Sequence, residues 1–560
     1  MNVRILATLP FSLALAACVS VPDAAAPLAA PPVEIQILAL NDFHGYLEAP
    51  AGPTSYRDGE ETRREELGGA ANMGAALARL RSGQAHTITV AAGDLIGASP
   101  FLSANFLDEP SIMALSAMGL ELASVGNHEF DRGVEELRRM QDGGCAQFTS
   151  RQPCALDDFP GAGFTYLAGN AVDGQDRAVF TGTALRSFGP LELGFVGLTL
   201  KDTGSLVSPA ATAGYRFLDE AQTANALAQD LIAQGADSVV LLIHEGGRTE
   251  PFNNVSGCPD LSGAIVPIME QLDPAIALVV SGHTHNAYAC AVSSADGGRR
   301  MLTSAGRYGT FVTDIRLTID PASGHVAGLT AVNVPIRPEP SVQADIDTLV
   351  QRYAAAARPI ADRVVGEITL PDETGDACIE QPAQALVADA QLAAARRLVD
   401  ADVALAFINS GGVRSDLAAA ADGVMTYGEI FAMQPFGNRL VVLELTGAQI
   451  GEVLEQQLCG DGYCYSYLIP SANFTYGFDR SRPEGARIVG MMLDGEPIDP
   501  QAHYLVSANN FIASGGDGFT GLAQGTVVGD GGLDVDALEN YLAGGVQVPA
   551  CGRIRQLVAS

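Results

Sequence analysis

Five short apolar runs in this chain are each followed directly by residues that bind metal ions. The runs are rich in Val, Ile and Leu and end in turn residues, which predicts buried β-strands. They occupy residues 35–40, 87–92, 122–125, 239–243 and 277–280, and five of the chain's eight histidines follow them. Parallel strands of an open α/β sheet carry functional side chains at their carboxyl ends, so residues far apart in sequence are expected to meet in one crevice.

The side chains after these runs have the chemistry of a two-metal centre. Asp42 and His44 are two residues apart, so in an extended chain both would point to the same side and chelate one ion. Asp94 offers a carboxylate that can bridge two ions. A mixture of imidazole nitrogen and carboxylate or amide oxygen suits Zn, Mn or Co better than Mg, so we expect two such divalent ions. The other candidate ligands are Asn127, His244, His283 and His285.

Composition limits the size and the partners of the protein. The 560 residues, 47% of them hydrophobic, predict more than one domain, and we expect two. The formal net charge of -33 argues against nucleic-acid polymers or anionic membrane surfaces as partners, because Lys and Arg patches hold those. An anionic small substrate would instead be attracted by bound metal ions and a few placed arginines.

Residues 1–18 have the organisation of a bacterial export signal. Arg4 precedes an apolar stretch that is too short to span a bilayer as a mature helix. The stretch ends in Leu-Ala-Ala before Cys18, which resembles the lipobox of bacterial lipoproteins and makes Cys18 the expected lipidation site. The alternative is ordinary cleavage beside a chance cysteine. Residues 19–32, rich in Ala and Pro, are typical of a tether, and we expect lipid anchoring at the outer membrane, facing the periplasm or the cell surface.

Eight cysteines follow Cys18, and an even number in an exported protein indicates disulfides. Proximity in sequence favours two short bridges, and keeping each remaining bridge inside one domain favours two longer ones. The predicted pairs are Cys145–Cys154, Cys459–Cys464, Cys258–Cys290 and Cys378–Cys551.

The ordered motifs Asp-x-His, Gly-Asp, Gly-Asn-His-Glu, a lone His after a strand and Gly-His-x-His resemble those of the calcineurin-like metallophosphatases, and most closely the 5′-nucleotidase branch. The resemblance implies an α/β fold: a four-layered β-sheet sandwich flanked by helices, followed by a smaller α+β domain. It implies that Asp94 bridges the two ions and that His128 and Asp131 form the catalytic dyad. The implied ligand sets are Asp42, His44 and His285 for one ion and Asn127, His244 and His283 for the other.

Three patterns extend the resemblance to the C-terminal half. A Pro-rich break leads into a helical pattern over residues 342–357, so we expect a metallophosphatase domain at 33–337, a linker helix within 338–362 and a nucleotide-binding domain at 363–560. By the resemblance, Arg414 binds the substrate phosphate within an Asn-x-Gly-Gly-x-Arg loop that also supplies Asn409. Phe436 and Phe511 would stack on the base, and Asp517 would accept hydrogen bonds from the ribose.

One position departs from the family pattern. Family members carry a second phosphate-binding Arg before a Glu, and here Ile379 precedes Glu380. Ile cannot replace that Arg, so either Arg414 acts with other groups or the substrate's phosphate pattern differs from a 5′-monophosphate.

The resemblance implies a 5′-nucleotidase that dephosphorylates nucleotides to nucleosides with metal-activated water. With the predicted export signal, we expect an exported enzyme, and we expect it to be a monomer. Within the same fold, the alternatives are a 2′,3′-cyclic-nucleotide phosphodiesterase with 3′-nucleotidase activity, a hydrolase of diphosphates such as UDP-sugars or NAD, and a sulfur-compound hydrolase. An alternative from a different class is a surface-anchored binding protein.

Overall fold

A computed structural model of the protein describes residues 31–149, 151–293, 299–370, 379–417, 422–459, 462–463, 466–549 and 552–557. The predicted signal peptide, Cys18 and the tether up to residue 30 lie outside these ranges. Within them, no helix is both long and apolar enough to cross a membrane.

Two six-stranded sheets form the centre of the N-terminal half. In spatial order the first sheet contains His325–Pro335, Phe311–Asp320, Val33–Leu40, Thr87–Ala92, Leu122–Ser124 and Thr165–Leu167. The second contains Ala287–Ser293, Arg299–Ala305, Ile276–Ser281, Ser238–His244, Leu191–Thr199 and Thr183–Phe188. All five predicted strands are present, three in the first sheet and two in the second, so the motifs lie on two sheets instead of one.

The two sheets pack face to face because their central strands are apolar on both sides. Successive residues of a strand point to opposite faces. Ile35 and Ile37 lie in the core between the sheets together with Val240, whereas Leu38 and Leu40 belong to the core on the other side of the first sheet. The second sheet has a separate core on its outer side, shared with two helices. Helix, sheet, sheet and helix therefore form four layers, which confirms the predicted fold class.

The helices of the N-terminal half lie outside the two sheets or in the connections between their strands. Their bounds are Ala70–Arg81, Phe101–Ala104, Glu109–Ala117, Val134–Asp142, Thr203–Leu206, Glu220–Ala233 and Ile265–Gln271. Two small ribbons, Thr54–Asp58 with Glu61–Glu65 and Ala171–Val172 with Arg216–Phe217, complete this half.

The C-terminal half contains a mixed five-stranded sheet, which has the spatial order Leu468–Pro470, Val403–Asn409, His503–Asn509, Arg439–Thr446 and Thr526–Leu533. A three-stranded sheet contains Val424–Thr426, Val364–Thr369 and Val546–Gln547. A four-stranded sheet contains Glu496–Pro497, Ile488–Leu493, Phe474–Phe478 and Ile554–Gln556. A two-stranded ribbon pairs Leu458–Cys459 with Gly462–Tyr463. The helices of this half are Pro382–Leu398, Tyr427–Met433, Gly447–Glu455, Asn510–Ala513 and Asp534–Leu542.

One helix, Ala344–Ala361, joins the two halves, whereas the sequence pattern predicted a helix over residues 342–357. Its buried face includes Ile346, Val350 and Tyr353, and it packs on helices of the N-terminal half. It also contacts the helix Tyr427–Met433 of the C-terminal half. A continuous apolar core therefore runs from one half into the other along this linker helix.

Two of the predicted disulfides are confirmed, Cys145–Cys154 and Cys258–Cys290. Cys459 is also disulfide-bonded. Its predicted partner Cys464 and both members of the predicted pair Cys378–Cys551 lie outside the described residues.

Candidate metal centre and substrate cleft

The loops that carry the candidate ligands turn sharply just after their strands. Asp42 and His44 both have φ of 48° and Asp94 has φ of 50°, so the first motif is not extended as the sequence argument assumed. The left-handed conformation is held by the neighbouring loop, because the amide of Asp42 donates to Gly93 and that of His44 to Asp94, each at 3.0 Å. The two side chains of the first motif still converge, but through this turn and not through strand alternation.

Three ligand atoms of the first predicted set lie together. His44 Nε2 is 3.8 Å from Asp42 Oδ1 and 3.1 Å from His285 Nε2. His285 Nε2 is 3.6 Å from Asp42 Oδ1. The second predicted set begins at the bridging candidate, because His244 Nε2 is 2.9 Å from Asp94 Oδ2 and His283 joins this pair in a second cluster.

The residues fit divalent metal ions. Asn127 Oδ1 is buried and makes no hydrogen bond among the described residues, although buried polar atoms are normally paired. His44 Nδ1 lies 2.9 Å from the Gly97 carbonyl and His244 Nδ1 lies 2.7 Å from the Ala92 carbonyl. Contacts of this kind keep the proton on Nδ1 and leave the Nε2 lone pair free for a metal.

Burial keeps three of the four ligand imidazoles in the form that binds metal, whereas a carboxylate beside the fourth, His244, raises its pKa to about 10 although burial opposes this. Burial lowers the pKa of His283 to about 3 and holds those of His44 and His285 well below the usual range, so these rings are neutral. Burial also raises the pKa of Asp42 to about 7. A cation bound beside this carboxylate would favour its charged form and lower the pKa again.

Glu129 ties the ligand loops to one another. Its carboxylate accepts the amides of Asp94 at 2.9 Å, Leu95 at 2.7 Å and Gly126 at 2.6 Å. These amides belong to the loops that follow Thr87–Ala92 and Leu122–Ser124. The sequence argument did not assign Glu129, although its position directly after the Asn-His pair was the available signal.

His128 and Asp131 form the expected pair. His128 opens a 3₁₀ turn, and its Nδ1 lies 2.9 Å from Asp131 Oδ2. The negative charges of Asp131 and Asp94 raise the pKa of His128 even though burial opposes them. His128 also clusters with His44 and Asp94, so a protonatable ring borders the metal ligands.

The C-terminal half brings an arginine and an aromatic ring to this border. The ring of Phe436 stacks on His128 with a centroid separation of 5.7 Å and an interplanar angle of 21°. Arg414 Cζ lies 5.9 Å from the centroid of Phe436. Arg414 Nε is buried without a hydrogen bond, and the side chain forms no ion pair with any residue that the structure describes. A cation and an aromatic face therefore meet beside the metal ligands.

Asn409, Asp517 and Phe511 lie in one polar and aromatic network. Asn409 Nδ2 donates to Asp517 Oδ2 at 2.8 Å, and Asn409 Oδ1 accepts from Asn509 at 3.0 Å. Asn409 thus holds Asp517 in place. The ring of Phe511 lies directly on Gly516, where a Cβ would sit 2.4 Å from the ring.

A cavity of about 730 Å³ opens between the two halves next to this site. Arg414 lines it from the C-terminal half, and Arg307, Tyr308 and Tyr46 line it from the N-terminal half. Arg307, Tyr308 and Tyr46 were not predicted from the sequence. For Arg307 the available signal was its position just after Arg299–Ala305, a strand that runs parallel to Ile276–Ser281 and therefore ends at the same edge.

Comparison with known proteins agrees with this geometry. Residues 35–287 match the family model for calcineurin-like phosphoesterases, and residues 364–524 match that for the C-terminal domain of 5′-nucleotidases. The chain belongs to the 5′-nucleotidase family of calcineurin-like metallophosphatases. It is therefore a metal-dependent phosphoesterase, and the family implies divalent metal ions at the cluster described above.

Curated relatives cover most of this family member. A cell wall protein of Listeria monocytogenes is 29% identical over 92% of this chain and 67% of its own length. An endonuclease of Bacillus subtilis is 27% identical over 86% of this chain, which spans only 37% of that protein. The 5′-nucleotidase of Bos taurus is 22% identical over 92% of this chain and 89% of its own length.

Solved structures share the fold. The 5′-nucleotidase precursor of Thermus thermophilus superposes with a TM-score of 0.74 at 24% identity, covering 94% of this chain and 100% of that one. A sulfate thiohydrolase from the same genus superposes with a TM-score of 0.69 at 18% identity, covering 95% and 98%. A nucleotidase and a thiohydrolase thus share this fold, so the fold alone does not identify the substrate.

Proposed function

We propose that this family member is an exported 5′-nucleotidase that removes phosphate from nucleotides. The observation that carries the proposal is the meeting of Arg414 and Phe436 with His128 at the edge of the ligand cluster. A substrate that uses all three groups needs an anionic ester at the metals and a flat aromatic part a short distance away. A nucleotide has both.

The ligand assignment follows from the two clusters of side chains. Asp94 lies between them, 3.7 Å from His44 Nε2 and 2.9 Å from His244 Nε2, which suits a bridging carboxylate. When bound, two divalent cations of the Zn, Mn or Co type supply a polarised water molecule and positive charge opposite the phosphoryl oxygens. The proposed ligand sets are Asp42, His44 and His285 for one ion and Asn127, His244 and His283 for the other.

The protein's own groups then bind, orient and protonate the substrate. Arg414 binds the phosphate, because its guanidinium has no other anionic partner among the described residues. His128, oriented by Asp131, holds a proton beside the phosphoryl group and delivers it to the leaving alkoxide. Asp517, held by Asn409, accepts hydrogen bonds from the ribose hydroxyls.

Phe436 and Phe511 would hold the base by stacking. Aromatic stacking on a base contributes roughly 1 to 3 kcal/mol and accepts any base, so we expect broad nucleobase tolerance. The same two rings disfavour the alternative function as a sulfur-compound hydrolase, because a sulfur compound without an aromatic part would leave them without a role.

Export and anchoring belong to the same proposal. The two observed disulfides fit an oxidising compartment. The lipobox-like sequence before Cys18 and the cell wall relative support a surface location. Labelling cells with radioactive palmitate should tag the wild-type protein and not Cys18→Ser; equal labelling of both would reject the anchor.

Product analysis tests the enzymatic proposal. The metal-loaded protein should convert AMP to adenosine, and His128→Ala should not. AMP would be compared with 3′-AMP, 2′,3′-cyclic AMP, UDP-glucose and NAD as separate substrates. Faster turnover of the cyclic or diphosphate compounds would move the assignment to those alternatives. Absence of both turnover and stoichiometric metal would favour the binding-protein alternative.

A further inference from the structure

Arg307 lies on the outer side of the ligand cluster. Its Cζ lies 4.6 Å from the centroid of the Tyr308 ring, and that ring stacks on Tyr46 with a centroid separation of 3.9 Å. The amide of Tyr308 donates to the Asp42 carbonyl at 2.7 Å, which fixes this segment to the first ligand loop. The guanidinium is thereby held beside His285, although the residue itself is exposed.

Arg307 and His285 present two donors to one point. Arg307 Nη1 is 3.4 Å from His285 Nδ1. The other ring nitrogen, Nε2, faces the remaining ligands of the first set. An imidazole that gives its Nε2 lone pair to a metal carries its proton on Nδ1. Two N–H donors then face each other and cannot bond to each other, whereas an anionic oxygen beside them can accept from both.

Arg307 forms no ion pair with a carboxylate among the described residues, and its one polar side-chain contact is with His285. Three acidic residues also line the cavity without forming an ion pair with Arg307: Glu48, Asp416 and Glu429. Arg307 and Arg414 are the only basic residues among the described ones that line the cavity, one from each half.

An anionic oxygen bound by these two donors would lie apart from the phosphoryl group at the metals. Nδ1 and Nε2 lie on opposite sides of the imidazole ring, and Nε2 is the atom that faces the ligand cluster. An oxygen bound by Nδ1–H and Arg307 is therefore not an oxygen that also contacts the ions. Charge-assisted donors of this kind favour an anionic oxygen.

We propose that Arg307 and the Nδ1–H of His285 form a subsite for a second phosphate group of the substrate, distinct from the phosphoryl group that is hydrolysed. The inference rests on the proposed nucleotide function, since it assumes a phosphate ester already placed at the metal centre.

Calorimetric titration of the Mn-loaded protein with two non-hydrolysable probes tests the subsite. One probe is an adenosine 5′-monophosphonate and the other is an adenosine diphosphate with a methylene group in place of the bridging oxygen. In Arg307→Gln we expect Kd for the diphosphate probe to rise by about 10- to 100-fold, the range of one lost charge-assisted contact. Kd for the monophosphonate should change less than about 2-fold on the same basis, because that probe leaves the subsite empty.

Three comparisons make the result specific. Arg299→Gln, at the other end of the same strand and exposed, should leave both Kd values unchanged. Arg307→Lys should recover part of the diphosphate affinity, since charge is retained and the planar fork is lost. Metal content, measured by mass spectrometry, should be the same in all variants.

The failures of the two proposals are distinguishable. If the monophosphonate does not bind the wild-type protein, the nucleotide function itself is wrong. If it binds and Arg307→Gln weakens both probes equally, or neither, the second-phosphate subsite alone is overturned. A loss of metal in Arg307→Gln would likewise overturn it, because Arg307 would then be supporting His285 as a ligand.

Discussion

His128 is the side chain through which the metal ligands and the C-terminal half meet. It clusters with His44 and Asp94 on one side and stacks on Phe436 on the other. We expect His128→Ala to lower kcat by roughly 100- to 10,000-fold, the usual contribution of a positioned proton donor. Metal content should remain that of the wild-type protein, because the proposed ligand sets exclude this ring. Unchanged kcat, or a protein that loses metal, would contradict the assignment.

Asp131 sets the pH range of His128. Its carboxylate, 2.9 Å away, raises the pKa of the imidazole, so the protonated form persists to higher pH. Activity that needs this proton is lost as pH rises through the pKa. Asp131→Asn removes the negative charge and lowers the pKa, which should move the alkaline limb of the kcat profile to lower pH by about 1 unit.

The acidic limb serves as the internal control for this variant. If groups other than His128 control the acidic limb, Asp131→Asn should not move that limb to lower pH. An alkaline limb that stays in place would mean that His128 does not act in its protonated form.

At the scale of elements, the ligand loops depend on one buried carboxylate. Glu129 accepts amides from two strand-end loops, and an amide side chain offers only one oxygen for these donors. We expect Glu129→Gln to weaken metal affinity by about 10- to 100-fold and to destabilise the protein by about 2 kcal/mol or more. Metal titration and thermal unfolding measure the two effects.

Glu135→Gln is the matched control for Glu129→Gln. Among the described residues its carboxylate pairs only with Arg138 on the surface, 3.1 Å away, and exposed pairs of this kind contribute little. A change in Glu135→Gln as large as that in Glu129→Gln would show that the loops do not depend on the buried carboxylate.

The sequence predicted the strands well and the geometry of their ends less well. Buried parallel strands are easy to recognise in a sequence, because both of their faces must be apolar. All five predicted strands are present in the structure. The turn at Asp42 and His44 was mistaken for extended chain, since it is held by carbonyls of the loop at Gly93, a contact distant in sequence. Arg307 was not predicted as a site residue for a similar reason. Its proposed role depends on its position relative to His285, and no local sequence pattern indicates that position.

The C-terminal roles show a further limit of the sequence argument. The motifs named Asn409 as a substrate contact, and the structure shows its amide bonded to Asp517 and Asn509. Motif spacing identifies which loops meet, whereas the partner of each atom depends on packing. The divisions at 33–337 and 363–560 stay predictions, as do the roles of the individual site residues.

At the scale of the whole molecule, the substrate groups and the metal ligands belong to different halves. Phe436 stacks on His128 here, so a base held against Phe436 requires this contact to open. The linker helix Ala344–Ala361 is packed on the N-terminal half along its buried face, and Phe101 meets Tyr427 and Phe431 edge-on where the halves join. We infer that the C-terminal half rotates about the end of this helix during each turnover.

A cleavable cross-link tests this rotation. The helix Thr203–Leu206 contacts the segment Gly516–Gly518 across the two halves, and Ser205 and Ser514 are exposed residues in or near them. With cysteines at these two positions, a short bismaleimide containing a diol should hold the halves together. We expect kcat to fall at least about 10-fold while metal content stays constant, because substrate entry and product release need the contact to open.

Periodate cleavage of the diol should restore activity without touching the native disulfides, and a long linker at the same positions should have little effect. Full turnover with the short linker in place would mean that the two halves work as one rigid body, and the exchange of substrate would then have to occur through the open side of the cavity at Arg307 and Arg414.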